Sequence, residues 1–228
     1  MLKAAYCEDE ETPVLEIGVD EAGRGPMLGR VYTAAVILPK SLSAFNHALM
    51  KDSKKFHSEK KIKEAAAYIK EHAVAWAVAY ETEQTIDDIN IRRATHKGMH
   101  AAIQQVLECK ALQQAQGQAE STNNNNILLL IDGNDFTPFI YNNSRRIPNV
   151  CIEGGDNTYS CIAAASILAK VSRDEYIREL CELHPNLDEH YNILKNKGYG
   201  TKKHMDGIKQ HGITPFHRKT FGLCREFV

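Results

Sequence analysis

Two apolar runs that each deliver an acid at their exit constrain this chain most. Val14–Val19 reads as a short buried strand ending at Asp20-Glu21, and ILLLIDGN reads as a fully apolar strand with Asp132 where it leaves the sheet. Between them, VYTAAVIL (31–38) is a second strand, stopped by Pro39. Gly23, Gly25, Pro26 and Gly29 mark a turn-rich loop joining the first two strands. SEKKIKEAAAYIKEH (58–72) is helical, with Ser58 as N-cap and Ile62, Ala65, Ala66 and Ile69 as its apolar stripe. Ala73–Tyr80 is a strand, with Val74, Trp76, Val78 and Tyr80 on one face and alanines on the other; Trp76 is expected in the core. Ile86–Ala115 reads as one long helix that decays into a polar, low-complexity surface insertion at 113–126. Val150–Ile152 is a short strand. After a Gly-Gly turn bearing Asp156 comes a long helix, alanine-rich and then charged, which His184-Pro185 breaks. A short helix near Lys202–His211 and the Pro215–Phe221 tail complete the chain. Consecutive strands followed by alternation predict an α/β fold: a mixed sheet flanked by helices, with a small C-terminal helical appendage.

If the first and fourth strands are neighbours, Asp20, Glu21, Asp132 and Asp156 converge at one edge of the sheet. Carboxylates at close range repel and raise one another's pKa, so such a cluster suits a neutralising cation. Oxygen ligands without His or Cys favour Mg²⁺ or Mn²⁺ over zinc. Two such ions can activate water and stabilise the leaving oxygen in phosphodiester cleavage. An acid at a strand end is also an ordinary surface feature, and spacing alone does not decide between the two readings. The loop DEAGRGPMLG (20–29) lacks dinucleotide-fingerprint spacing and no phosphate-loop lysine motif occurs. It is either a tight turn or a place where backbone approaches a ligand.

Two basic patches beside a cluster of carboxylates are either solvated faces or a fit for a polyanion held by metal ions. The net charge is only −1, yet from Lys195 to Arg225 eight Lys/Arg face one acid, Asp206, and six Lys crowd residues 51–63. The six cysteines show neither C-x-x-C nor zinc-finger spacing and are expected as reduced thiols. The longest apolar run, Ala73–Tyr80, is far below the about 20 residues of a membrane span. The acidic opening MLKAAYCEDEE has no apolar signal core, so a cytoplasmic protein (nuclear in a eukaryote) is expected.

Six motifs in order carry a resemblance: GVDEAGRGPMLG (18–29), DSKK (52–55), LIDGN (130–134), GGDNTYSCIAAASILAKVSRD (154–174), KGYGTKKH (197–204) and TPFHRKTFG (214–222). Over nearly the whole chain it resembles ribonuclease HII, the single-chain type 2 ribonuclease H. The resemblance implies a ribonuclease H-like five-stranded mixed sheet, with a catalytic domain over 1–183 and a C-terminal helical, basic segment over 184–228. It implies an endoribonuclease that hydrolyses the RNA strand of RNA–DNA hybrids and incises 5′ of single ribonucleotides in duplex DNA, leaving 3′-hydroxyl and 5′-phosphate ends. Asp20, Glu21, Asp132 and Asp156 match its metal-binding catalytic acids, which hold two Mg²⁺ or Mn²⁺ ions during catalysis. Gly23, Arg24 and Gly25 match the loop that senses the ribonucleotide 2′-OH. Tyr199 matches the tyrosine that stacks on the following deoxyribose, and Lys54 lies in a segment that approaches phosphates. The implied partners are RNA–DNA hybrid and ribonucleotide-containing duplex DNA, with the protein acting as a monomer. No sequence feature marks a sliding-clamp contact, which stays open. The alternatives are a related nuclease or resolvase on the same fold, or a non-catalytic hybrid-binding module.

Arg30 departs from the family's Pro or small residue and is expected to add charge beside the loop. Ala163–Ile167 is read as close packing against the sheet. Lys170 and Arg173 are read as a solvated face within reach of phosphate, and His217-Arg218 either as an ordinary surface pair or as a phosphate contact.

Overall fold

The computed structural model describes residues 2–7, 14–109 and 126–228. In chain order the strands are β1 (Leu15–Ala22), β2 (Val31–Ile37), β3 (Ala75–Glu81), β4 (Ile127–Asp132), a small hairpin of β5 (Ile140–Tyr141) and β6 (Arg145–Arg146), and β7 (Asn149–Ile152). The helices are α1 (Glu59–His72), α2 (Glu83–Ile89), α3 (Ile91–Leu107), α4 (Ser160–Leu183), α5 (Asn186–Tyr191), α6 (Ile193–Asn196) and α7 (Lys202–His211).

The main sheet has five strands in the order β3-β2-β1-β4-β7. β1 is central, antiparallel to β2 and parallel to β4, with Val19 level with Ile131. The first and fourth strands are therefore neighbours, and their acids leave the sheet at the same edge. Strand alternation assigns the faces. Ile17, Val19, Leu129 and Ile131 pack toward α3, while Leu130, Ala34 and Val36 pack toward α1 and α4. Asp20 and Asp132 have the parity of Leu130 and belong to the α4 side. There, α4 lies unusually close. A Cβ on Gly18 would stand 2.2 Å from the Cys161 carbonyl carbon, so small residues on both elements set the helix–sheet distance, as the Ala163–Ile167 run predicted.

Four expectations need correction. β1 does not stop at Asp20; it continues through Asp20 and Glu21, which pair with Ala34 and Thr33 of β2. Ser58 occupies the N-cap position of α1 without capping through its side chain, although the buried stripe is the expected one. The long helix is two helices. Asn90, at φ 68°, ends α2 and turns its side chain to accept from Arg93 N at the start of α3. Trp76 is 37% exposed. The alanines of β3 are the buried face because α3 needs small residues to approach. β3 is an edge strand, and the indole lies partly exposed against α1 with its Nε1 donating to Lys70 O. The insertion at 113–126 lies outside the described residues except for Asn126.

The C-terminal elements are joined to the rest of the fold by a shared apolar cluster. Leu187, Tyr191, Ile193, Ile208 and Cys224 pack on Met27, Leu28 and Tyr32 and on the second half of α4. No disulfide forms among the described cysteines, and no described helix is long and apolar enough to cross a membrane.

Candidate active site

A cleft of about 440 Å³ opens at the carboxyl ends of β1 and β4. Asp20, Glu21, Asp132, Asp156, Gly23, Arg24, Gly25, Lys54 and Tyr199, all the residues selected from sequence, line it together. β1 and β4 deliver Asp20 and Asp132 side by side. The third support is the turn after β7: Gly154, at φ 64°, reverses the chain so that the backbone N–H of Gly155 donates to Asp132 Oδ1 at 2.7 Å. That turn places Asp156 beside Asp132.

Asp20 is 4% exposed and Asp156 5%. Burial, then repulsion from Glu21 and Asp132, raises the Asp20 carboxyl well above its ordinary range. Burial also raises Glu21, against the pull of Arg24, whose guanidinium lies 3.3 Å from Glu21 Oε1. Asp156 is raised by burial and by the charges of Asp132 and Asp52. The protein thus holds several carboxyls where their anionic forms are costly, and cation binding would relieve that cost. Among the described residues, no three His, Cys, Asp or Glu side chains close into a ready-made ligand cage. The acids line an open wall, which suits a cation shared with a substrate phosphate. The donor set, hard oxygens alone, fits Mg²⁺ or Mn²⁺.

Sequence reading missed the support beneath Asp20. The Ser166 hydroxyl of α4 stands beside this carboxylate and lowers its pKa against the burial, and its Oγ lies 3.0 Å from Ser53 Oγ. The alanine-rich run thus packs as expected and also carries a polar bracket. The Asp52 carboxylate accepts from Lys54 N at 2.8 Å and from the Asn157 side chain. The DSKK segment is thereby tied to the turn bearing Asp156, with the Lys54 side chain exposed at the cleft.

The opposite wall is built by the C-terminal elements. Tyr199 is 50% exposed, and a Cβ on Gly25 would stand 3.3 Å from its ring, so loop and ring face each other at close range. Gly23 has φ 93°, and a Cβ there would meet the Arg173 side chain at 2.1 Å. Arg173 lines the cleft but does not belong to a solvated face. It is 3% exposed and donates to Leu28 O, Arg30 O and Lys197 O. His217 and Arg218 are 1% and 0% exposed, so both surface readings of that pair are corrected. Arg218 points at loop carbonyls, and such contacts were invisible in a sequence where the two segments lie about as far apart as the chain allows. Arg30 is corrected too. Its guanidinium sits between the rings of Tyr80 and Tyr176, 4.3 and 4.6 Å from their centroids, and it is not among the cleft residues. Lys170 is at the cleft, paired with Asp174.

The family model for ribonuclease HII matches residues 17–224. The chain belongs to the ribonuclease HII family. Ribonuclease HII of Parabacteroides distasonis is 44% identical over 216 residues, covering 95% of this chain and 94% of that protein. Ribonuclease HII of Bacteroides thetaiotaomicron is 43% identical over 210 residues, covering 92% and 90%. The crystal structure of ribonuclease H2 from Pyrococcus horikoshii, 20% identical, superposes with a TM-score of 0.68 over 93% of this chain and 96% of that one, which shows a shared fold. As a ribonuclease HII, the chain is an endoribonuclease acting on RNA–DNA hybrids, and the cleft is where that chemistry is to be sought.

Proposed function

We propose that the cleft hydrolyses the RNA strand of hybrids and also incises 5′ of a single ribonucleotide in duplex DNA. The observation that carries this is the facing of two walls across one cleft: four carboxylates at the ends of β1, β4 and the β7 turn, and the Gly23–Gly25 loop against the Tyr199 ring. Asp20, Glu21, Asp132 and Asp156 would hold two Mg²⁺ or Mn²⁺ ions, which when bound supply Lewis-acid activation of water and of the leaving 3′ oxygen. The Glu21 N–H holds Asp20 and the Gly155 N–H holds Asp132, so the carboxylates need little reorganisation on binding. Lys54 and Lys170 offer positive charge to the phosphates beside the scissile bond.

Recognition falls to the other wall. A site that hydrogen-bonds a hydroxyl rejects its absence strongly, because its own polar groups are then left unpaired. The backbone of Gly23, Arg24 and Gly25 would pair with the ribonucleotide 2′-OH, glycine giving the close approach. The Tyr199 ring would pack on the next sugar, where a 2′-OH would crowd it. Residues 184–228 then act as part of one site rather than as a separate unit, on duplexes held by the protein as a monomer.

Cleavage of an end-labelled duplex with one ribonucleotide, with and without Mg²⁺, tests the activity. On matched duplexes, Tyr199→Ala is expected to slow incision at the lone ribonucleotide far more than cleavage within a long hybrid. Equal losses would reduce Tyr199 to a packing residue.

A further inference from the structure

We propose that the dipeptide His217-Arg218, which no substrate atom need touch, is the positioning element for both recognition arms of the cleft. The inference rests on the reading of the 23–25 loop and Tyr199 given above. Residue 217 forms an antiparallel bridge with Leu28, and Arg218 N donates to Met27 O at 2.8 Å. On such an extended segment adjacent side chains point opposite ways. One goes to each arm.

Arg218 takes the loop. Its guanidinium donates to the carbonyls of Gly23 (2.6 Å), Arg24 (3.0 Å), Pro26 (2.8 Å) and Gly29 (2.8 Å). It is fully buried and has no carboxylate partner among the described residues. A buried cation without an acid is costly unless its donors are used, and here loop carbonyls use them. The consequence for recognition follows from the planar trans peptide, in which C=O and the next N–H point in opposite directions. Drawing the Gly23 and Arg24 carbonyls inward turns the N–H groups of Arg24 and Gly25 away from the Arg218 pocket. A lysine has one compact ammonium and no fork to span four carbonyls.

His217 takes the tyrosine, through His204. His204 Nδ1 lies 3.0 Å from Tyr199 O, and a carbonyl only accepts, so Nδ1 carries the proton. In the neutral ring Nε2 is then an acceptor, and it lies 3.0 Å from His217 Nε2, which must donate. His217 Nδ1 is left to accept, and Thr214 N donates to it at 2.9 Å. The chain has one direction: Thr214 N–H to His217, His217 to His204, His204 to the Tyr199 carbonyl. Both tautomers are set, and the backbone of the cleft-facing tyrosine is anchored at its end. Arg173, donating to Lys197 O, secures the same turn from α4.

The direction of the chain supplies the test, because amides mimic one ring nitrogen each. Gln places its N–H near Nε2, and Asn places a polar atom near Nδ1. His217→Gln keeps the donation to His204. His217→Asn withdraws it, and His204→Gln loses the donation to Tyr199 O, so both break the chain. The readout is the ratio of initial rates on a one-ribonucleotide duplex and on a long hybrid, both in Mg²⁺, with melting curves to establish folding. The chain-keeping variant is expected to hold the wild-type ratio, and the chain-breaking ones, with Arg218→Lys, to lower it about tenfold, one hydrogen bond's worth. Three histidine variants with the same ratio, or all unable to fold, would overturn the proposal and leave the pair as packing. Tyr199→Ala runs alongside. If it leaves the ratio unchanged, the recognition reading itself falls and this inference with it; if it lowers the ratio while the other variants do not, only this inference falls.

Discussion

At the scale of single residues, the cleft is organised by charges the fold makes expensive. Asp132 is one of the charges that raise the carboxyls of Asp20 and Asp156. Asp132→Asn removes that charge and keeps the side-chain shape, including an acceptor for the Gly155 N–H. Hydrolysis of a long hybrid is expected to fall by about 10²–10³-fold or more, the scale seen when one electrostatic stabiliser is lost. Binding of uncleaved hybrid is expected to stay or tighten, because less negative charge faces the phosphates. A near wild-type rate in Mg²⁺ would remove Asp132 from the catalytic set. Asp20, Glu21 and Asp132 were legible from sequence because they sit where an apolar run stops, and Asp156 because it follows a short strand and a Gly-Gly turn. Ser166 was not, since a serine among alanines on a helix looks the same whether it packs or stands beside a carboxylate.

At the scale of elements, two junctions show where local pattern was insufficient. The α2–α3 break depends on Asn90, whose φ of 68° and ψ of 161° lie in a region that side chains disfavour. Its side chain compensates by capping Arg93 N. Asn90→Ala keeps the strain and loses the cap, so thermal melting is expected to show a loss of about 1–2 kcal/mol. A change smaller than the error of the melt would mean that α2 and α3 are held by packing alone. The second junction is the His204–His217 bond under α7. Burial, then the neighbouring His204, lowers His217 to about 3, and burial lowers His204 as well. The unfolded chain therefore binds protons that the folded one refuses. The stability from this pair is fully present above the ordinary histidine value of about 6.5 and is lost as pH falls from there toward 3. The melting temperature is expected to drop more steeply between pH 7 and pH 5 in the wild type than in His217→Gln, and parallel curves would show that the pair does not couple to folding.

At the scale of the whole molecule, a net charge of −1 conceals a division of labour. Four acids line one wall of the cleft, while Lys202 and Lys203 stand exposed on α7. Such lysines hold phosphates without reading sequence or sugar. Lys202→Gln with Lys203→Gln is expected to weaken binding to hybrid and to plain duplex alike and to flatten the salt dependence by about one unit of slope for each phosphate no longer neutralised. A selective loss for hybrid would assign them to recognition instead. The amino-acid sequence alone determined the elements whose causes are local: the apolar strands that end in acids, the α1 stripe, the proline-broken α4, and the glycines of the loop. Its motifs also determined the family and hence the residues to look for. The tertiary structure alone decided which strands are neighbours, that Trp76 lies at an uncovered sheet edge, that Arg30 stacks between tyrosines, and that His217 and Arg218 are buried. The physical reason is distance along the chain. Whether a basic residue belongs to the surface or the interior depends on whether acceptors await it, and the carbonyl that receives the Arg218 guanidinium at Gly23 is 195 positions away. No periodicity or propensity reports on a partner that only the folded sheet and its C-terminal wall bring within 2.6 Å.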